Sequence, residues 1–222
     1  MDFRFEHGSC HIFSGPSGSG KTQRVAEILY NLPELIKGGD RIKNVVICYN
    51  TWQPIYEELK HRGIVNKFVQ KSPTVEDFIQ LTKPYVNHGG SLCVIDDFMS
   101  QIGPDMQEII TVHSRHHNTT TFLLFQSLFP PAKAYRQISL NARYLHCFRA
   151  PRDNYQIEYL FRQMSPKNYK WIVEAYNDCV KDMYSPFLID MSPSMDEKYR
   201  FRARCLPREF PLVLYVQKGT II

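Results

Sequence analysis

No two of the six cysteines stand in a C-x-x-C spacing: Cys10, Cys48, Cys93, Cys147, Cys179 and Cys205 are scattered singly along 222 residues. That spacing excludes a zinc ribbon and a dithiol redox motif, and points to free buried thiols in a reducing compartment. No apolar run approaches the roughly 18 residues of a membrane span, so no membrane partner is expected. Residues 1–6 carry charge and lack the apolar stretch of a secretory signal, so the expected protein is intracellular and non-secreted. Charge of one sign is also scarce. Lys+Arg 27 against Asp+Glu 22 leaves +5, which is compatible with a polyanionic partner without requiring one. There is no internal repeat and no low-complexity stretch. What is present is an ordinary globular composition, 43% hydrophobic and 22% charged, enough for one large domain over 1–222.

Continuous apolar runs predict buried strands at 9–14, 44–49, 91–95, 119–125 and 143–148, with a short extended piece around Phe68 and Val69. Helical spacing falls between them at 22–30, 53–62, 74–86 and 104–114. Strands alternating with helices predict an α/β protein with a mostly parallel central sheet and helices on both faces. From about residue 154 the pattern changes to two helices, 154–164 and 167–182, followed by strands or extended segments at 187–190, 199–206 and 212–216. This gives a core of about 9–153 and a carboxyl-terminal extension of about 154–222 joined to the same unit.

Gly15-Pro16-Ser17-Gly18-Ser19-Gly20-Lys21-Thr22 fits G-x-x-x-x-G-K-[ST] between a predicted strand and a predicted helix, the context that a phosphate-binding loop requires. Glycines let the backbone bend so that several N–H groups point at phosphate oxygens, and the following helix adds its positive end. Lys21 would reach the β- and γ-phosphates of ATP, and the Thr22 hydroxyl would ligate Mg2+. The apolar strand 92–95 then delivers Asp96 and Asp97 to its carboxyl end, where an open α/β sheet binds ligands. Asp96 is read as the magnesium-side acid and Asp97 as a general base for the attacking water. A pair Asp-Asp replaces the commoner Asp-Glu, which weakens the assignment to Asp97. The strand 119–125 ends in Gln126, whose carboxamide suits a γ-phosphate sensor. Set beside the acid strand, it would make a RecA-like P-loop NTPase with an inserted central strand. No Asn-Lys-x-Asp guanine motif and no Leu-Ser-Gly-Gly-Gln run occurs, which disfavours a GTPase and a transporter-type ATPase.

With these residues in place, the sequence resembles the viral genome-packaging ATPases of the FtsK/HerA superfamily, in the poxvirus-type, Polinton/Maverick or adintovirus-type branch. The resemblance covers roughly 9–153. It rests on 15–22, on Tyr49-Asn50-Thr51-Trp52-Gln53, on Val94-Ile95-Asp96-Asp97-Phe98, on Ser114-Arg115-His116-His117 before 119–126, and on 142–153. It implies an ATP-hydrolysing motor that drives double-stranded DNA into a preformed capsid. It also implies a homo-oligomeric ring, a capsid or portal-vertex partner, and a setting in a virus-infected host cell in association with the virion. In such rings an arginine from the neighbouring subunit neutralises charge on the transferred phosphoryl group. Arg115 ranks first for that role, ahead of Arg143 and Arg149.

Other readings stay open at this stage. A nucleoside or small-metabolite kinase would share the loop and use Arg149-Ala150-Pro151-Arg152 as a lid, and a nucleotide-gated DNA-binding scaffold would bind without turnover. The alternation Arg200-Phe201-Arg202-Ala203-Arg204-Cys205 predicts a strand with three guanidinium groups on one face, either tracking phosphates or simply solvated. Lys60, Arg62, Lys67 and Lys71 form a second basic stretch. His113, His116 and His117 share a helix end without a carboxylate or cysteine to complete a metal set, and Trp52 and Trp171 read as packing anchors.

Overall fold

The computed structural model describes residues 2–182 and 184–219. In chain order it contains β1 (Cys10–Ser14), α1 (Lys21–Tyr30), α2 (Leu32–Leu35), β2 (Asn44–Tyr49), α3 (Pro54–His61), β3 (Lys67–Val69) and α4 (Val75–Thr82). These are followed by β4 (Ser91–Asp96), α5 (Pro104–Glu108), α6 (Ser114–His116), β5 (Thr119–Phe125), α7 (Lys133–Asn141) and β6 (Ala142–Cys147). The later part holds α8 (Asn154–Met164), α9 (Tyr169–Cys179), β7 (Phe187–Asp190), α10 (Glu197–Arg200), β8 (Phe201–Ala203) and β9 (Val213–Tyr215).

All the strands among the described residues join one nine-stranded sheet in the order β3-β2-β4-β5-β1-β6-β7-β8-β9. From β3 to β6 every neighbouring pair is parallel, while β6–β7, β7–β8 and β8–β9 are antiparallel. The sheet is therefore mixed and mostly parallel, with the carboxyl-terminal strands continuing it.

The continuous apolar runs make sense because both faces of the sheet are covered. Alternate residues of one strand feed opposite cores. Ile12, Val46, Ile95, Leu123 and Leu145 enter one core with Ile138, Leu160 and Tyr176 from α7, α8 and α9. Phe13, Val45, Ile47, Val94, Phe122 and Leu124 enter the other with Val25, Ile28 and Leu29 from α1 and Tyr56 and Leu59 from α3. All the cysteines are unpaired, and each is buried except the half-buried Cys205.

Three expectations need correction. Residues 133–141, read without any element, form α7; it follows Pro130-Pro131, has no side-chain cap and buries only Tyr135 and Ile138, so its periodicity is faint. The helix expected at 104–114 is interrupted by a π-helical turn, Ile109–His113, between α5 and α6. The strand expected at 199–206 shrinks to Phe201–Ala203, with α10 before it and Arg204 at φ 54 ending it. No helix among the described residues is long and apolar enough to cross a membrane.

Candidate functional site

The strand order determines what meets at the sheet's carboxyl rim. β5 lies between β4 and β1, with Ile95 opposite Leu123 and Ser14 opposite Phe125. The loop after β1, the acids ending β4 and the glutamine following β5 therefore open on the same side. They line a cleft of about 440 Å³ that includes Ser17, Gly18, Gly20, Lys21, Thr22, Asp96, Asp97 and Gln126.

The loop is shaped by its glycines at two points. Gly20 caps α1 at φ 93 in the left-handed region, which a residue with a Cβ enters at a cost. Gly15 has no such φ, but a Cβ there would lie 2.7 Å from Phe148 Cβ and 2.8 Å from Ser19 Oγ. Pro16, Ser17 and Gly18 form the exposed crest, and the Ser19 hydroxyl is buried without a partner. Because α1 has no side-chain cap, its first-turn N–H groups point from the helix end towards the cleft with no intrahelical acceptor.

Lys21 Nζ donates to the carbonyls of Gly15 at 2.7 Å and Pro16 at 3.0 Å, so the ammonium is folded over its own loop. Burial pushes its pKa down, against the charges of Asp96 and Asp97. Thr22 Oγ1 donates to Asp96 Oδ2 at 3.2 Å. Asp96 is buried, and burial raises its pKa above the usual 3.8, opposed by hydrogen bonds from Tyr56 and Thr22 and by the Lys21 charge. Asp97 sits at φ 65 and accepts a 2.8 Å hydrogen bond at Oδ1 from Gln126 Nε2. The proposed base and the proposed sensor thus hold each other across the rim.

Tyr56 was not singled out by sequence reasoning, and it is the main addition. It is 1% exposed on α3, and its hydroxyl donates to Asp96 Oδ2. Burial and the Asp96 charge push its own pKa strongly up, which keeps it a donor. No local pattern marks it, since an apolar-face tyrosine on a helix looks like ordinary core.

The arginines divide between the rims. Arg115 is exposed in α6, before the amino end of β5, on the rim opposite its own loop and away from the cleft. Arg143 is half-buried at the start of β6, 3.9 Å from Glu6 and with its Nε unpartnered. Arg149 is exposed just beyond β6, on the loop's rim. The Arg149-Ala150-Pro151-Arg152 turn is anchored from below: Tyr176 Oη donates to the Phe148 carbonyl at 3.0 Å and accepts from the Ala150 N–H at 3.3 Å.

The basic row at 200–204 does not form. Arg202 is 2% exposed and paired with Asp190, Arg200 donates to the carbonyls of Asp190 at 2.6 Å and Met195 at 3.1 Å, and Arg204 alone faces solvent. Period two identifies alternate faces but not which face is covered, and here both are: Arg202, the one arginine on β8, is buried like Phe201 and Ala203 on the opposite face. In the second basic stretch, Arg62 pairs with Glu58 and Lys71 with Asp77, both at 2.7 Å. His113 contacts Glu108 at 3.2 Å and His117 contacts Thr82 at 2.8 Å. Among the described residues no cluster of three or more His, Cys, Asp and Glu is set to hold a metal. Trp52 packs against Tyr49, Tyr56 and Phe68, and Trp171 against Phe201.

The donors at the cleft floor suit a hard divalent cation: two neighbouring oxygens, Thr22 Oγ1 and Asp96 Oδ2, without nitrogen or sulfur. No protein-family model and no curated protein matches this chain.

Proposed function

We propose that this chain is a RecA-like P-loop ATPase whose hydrolysis drives double-stranded DNA into a preformed capsid. The observation that carries the ATPase part is the strand order β4-β5-β1, which puts paired acids, a glutamine and the glycine-rich loop around one cleft. The DNA, the homo-oligomeric ring and the capsid or portal-vertex partner rest on the resemblance of 9–153 to genome-packaging motors.

In this reading the backbone of Gly15, Pro16, Ser17, Gly18, Ser19 and Gly20 wraps the triphosphate, and Lys21 swings from its own carbonyls to the β- and γ-phosphates. Thr22 and Asp96 would hold Mg2+, which would supply charge neutralisation for the transferred phosphoryl group. Asp97 takes the proton of the attacking water, and Gln126, already bonded to Asp97, orients that water against the γ-phosphate. Arg115, remote from its own cleft, serves the neighbour's site and stabilises charge on the transferred group, an effect worth about 10³ to 10⁵ in rate in other nucleotide hydrolases.

The test is phosphate release with and without double-stranded DNA, together with a mass measurement in nucleotide. The expected result is DNA-stimulated release by an oligomer. Lys21→Ala should lower release by about 10³-fold or more with unchanged thermal stability. Arg115→Ala alone should stop turnover but bind ATP, and mixing it with Lys21→Ala should restore part of the activity. Phosphate transfer to a small acceptor by a monomer, or tight binding without release, would overturn the motor.

A further inference from the structure

A second cleft of about 540 Å³ lies on the far side of Gly20 from the acids, lined by Gly20, Gln23, Arg24, Tyr184, Ser185 and Glu209 among others. We propose that this cleft receives the purine base of the nucleoside triphosphate, with Tyr184 from the extension as its stacking platform. The inference rests on the phosphate-loop reading above and deepens it.

Four observations support it. First, Gly20 and Gln23 line both clefts, so the two adjoin at the first turn of α1. The reacting end of a triphosphate must face Asp96, Asp97 and Gln126. Its nucleoside end must therefore leave past Gln23, on the side where the second cleft opens. Second, Tyr184 is 56% exposed while its near edge is held against the loop; a Cβ at Gly20 would sit 3.0 Å from Tyr184 Cδ1. A large aromatic left open beside a phosphate loop offers a π-face that any base can cover. Third, Tyr184 has φ 74, an outlier for a bulky residue, and such strain concentrates at ligand-clamping positions. Fourth, the wall is built rigidly. Arg24, 6% exposed, bonds Glu209 at 2.8 Å through each terminal nitrogen and points Nη2 at the Tyr184 carbonyl at 3.5 Å. One arginine on the phosphate-binding helix thereby fixes two segments of the extension. Stacking selects a purine over a pyrimidine by ring area, because the larger ring covers more of the tyrosine face.

The experiment is calorimetric titration of the full chain with ATP, CTP and inorganic tripolyphosphate in magnesium. Tyr184→Ala should weaken ATP about tenfold, CTP less, and tripolyphosphate by less than twofold, while Tyr184→Phe should stay within about twofold for all three. Tyr184→Asn, a residue that tolerates positive φ, should match Tyr184→Ala and so exclude relaxation of backbone strain as the cause. The base site is overturned if ATP and tripolyphosphate weaken by the same factor, or if neither changes. Failure of the wild-type chain to bind either ATP or tripolyphosphate would remove the phosphate-loop reading itself, and the base site with it.

Discussion

Two buried aspartates end two strands of the same sheet, and they are partnered in opposite ways. Asp190, 1% exposed at the end of β7, accepts from the Ser192 N–H at 3.0 Å, from the Ser192 hydroxyl, and from the guanidinium of Arg202. Asp96, 6% exposed at the end of β4, accepts among the described residues from two neutral hydroxyls, Tyr56 and Thr22. In the extension the carboxylate is closed off by a cation of the chain. In the parallel part it is left with its charge and an opening onto a cleft. The difference separates an acid with its counter-charge in hand from one without, and under the proposed function the second is the one that would meet a cation.

The largest expected effect breaks the closed pair. Asp190→Asn leaves Arg202 charged at 2% exposure without a counter-ion, and it should destabilise the fold by about 3–5 kcal/mol in denaturant unfolding. The double change Asp190→Leu with Arg202→Met should recover most of that loss, since apolar replacement of a whole buried pair is often neutral. A single variant within about 1 kcal/mol of wild type would mean that the pair contributes little to holding β7 and β8 together.

Sequence reasoning reached the open acid and missed the closed one, for a physical reason. Around Asp96 the information is local: Leu92-Cys93-Val94-Ile95 drives a doubly covered strand, the acids follow at once, and the loop at 15–22 carries its own glycine pattern. The boundaries of β2, β5, α8 and β7 were legible for the same reason, because apolar runs bounded by polar residues carry their own limits. At 200–204 the alternation was real, but nothing local says that Asp190, on another strand, will draw Arg202 inwards. Tyr56 and Tyr184 escaped likewise. One acts by the approach of α3 to β4 and the other by a left-handed backbone between α9 and β7, and neither leaves a periodic trace.

A third way of burying a titratable group sharpens the contrast. His11 and His146 are buried side by side, Nδ1 to Nε2 at 3.2 Å, and burial holds both well below the usual 6.5. They stay neutral in the fold, whereas the unfolded chain protonates them below pH 6.5. Stability is therefore fully present above that pH and is lost as pH falls, by about 1.4 kcal/mol per pH unit for each histidine. Unfolding followed from pH 7.5 downwards should be nearly flat above pH 6.5 and take up this slope below pH 6, and the His11→Phe/His146→Phe variant should flatten it. An unchanged slope would assign the acid sensitivity elsewhere.

Removing one neutral donor tests the open acid more gently. Tyr56→Phe takes away a hydrogen bond to a charged group at the cleft floor and should reduce ATP turnover by about tenfold, about 1.4 kcal/mol, without loss of fold. Full activity would make Tyr56 a packing residue.

The smallest effect on stability has the opposite sign from the first, and so decides the comparison. Burial raises the pKa of Asp96, so the folded state binds its proton more tightly than the unfolded state does. Stability attributable to that proton is present below the unfolded value of 3.8 and is lost as pH rises through the folded value. At neutral pH an ionised Asp96 is thus a burden on the fold. Asp96→Asn keeps an oxygen to accept from Tyr56 and Thr22 and discards the buried charge. It should abolish turnover yet raise stability by about 1 kcal/mol at pH 7, as loss of a strained functional group commonly does. The gain should shrink as pH falls and vanish below 3.8, where the folded and the unfolded chain both carry the proton. The same substitution at two buried aspartates would then stabilise one and cripple the other. A destabilised Asp96→Asn protein would place both acids in the structural class and leave the cleft without its reserved charge.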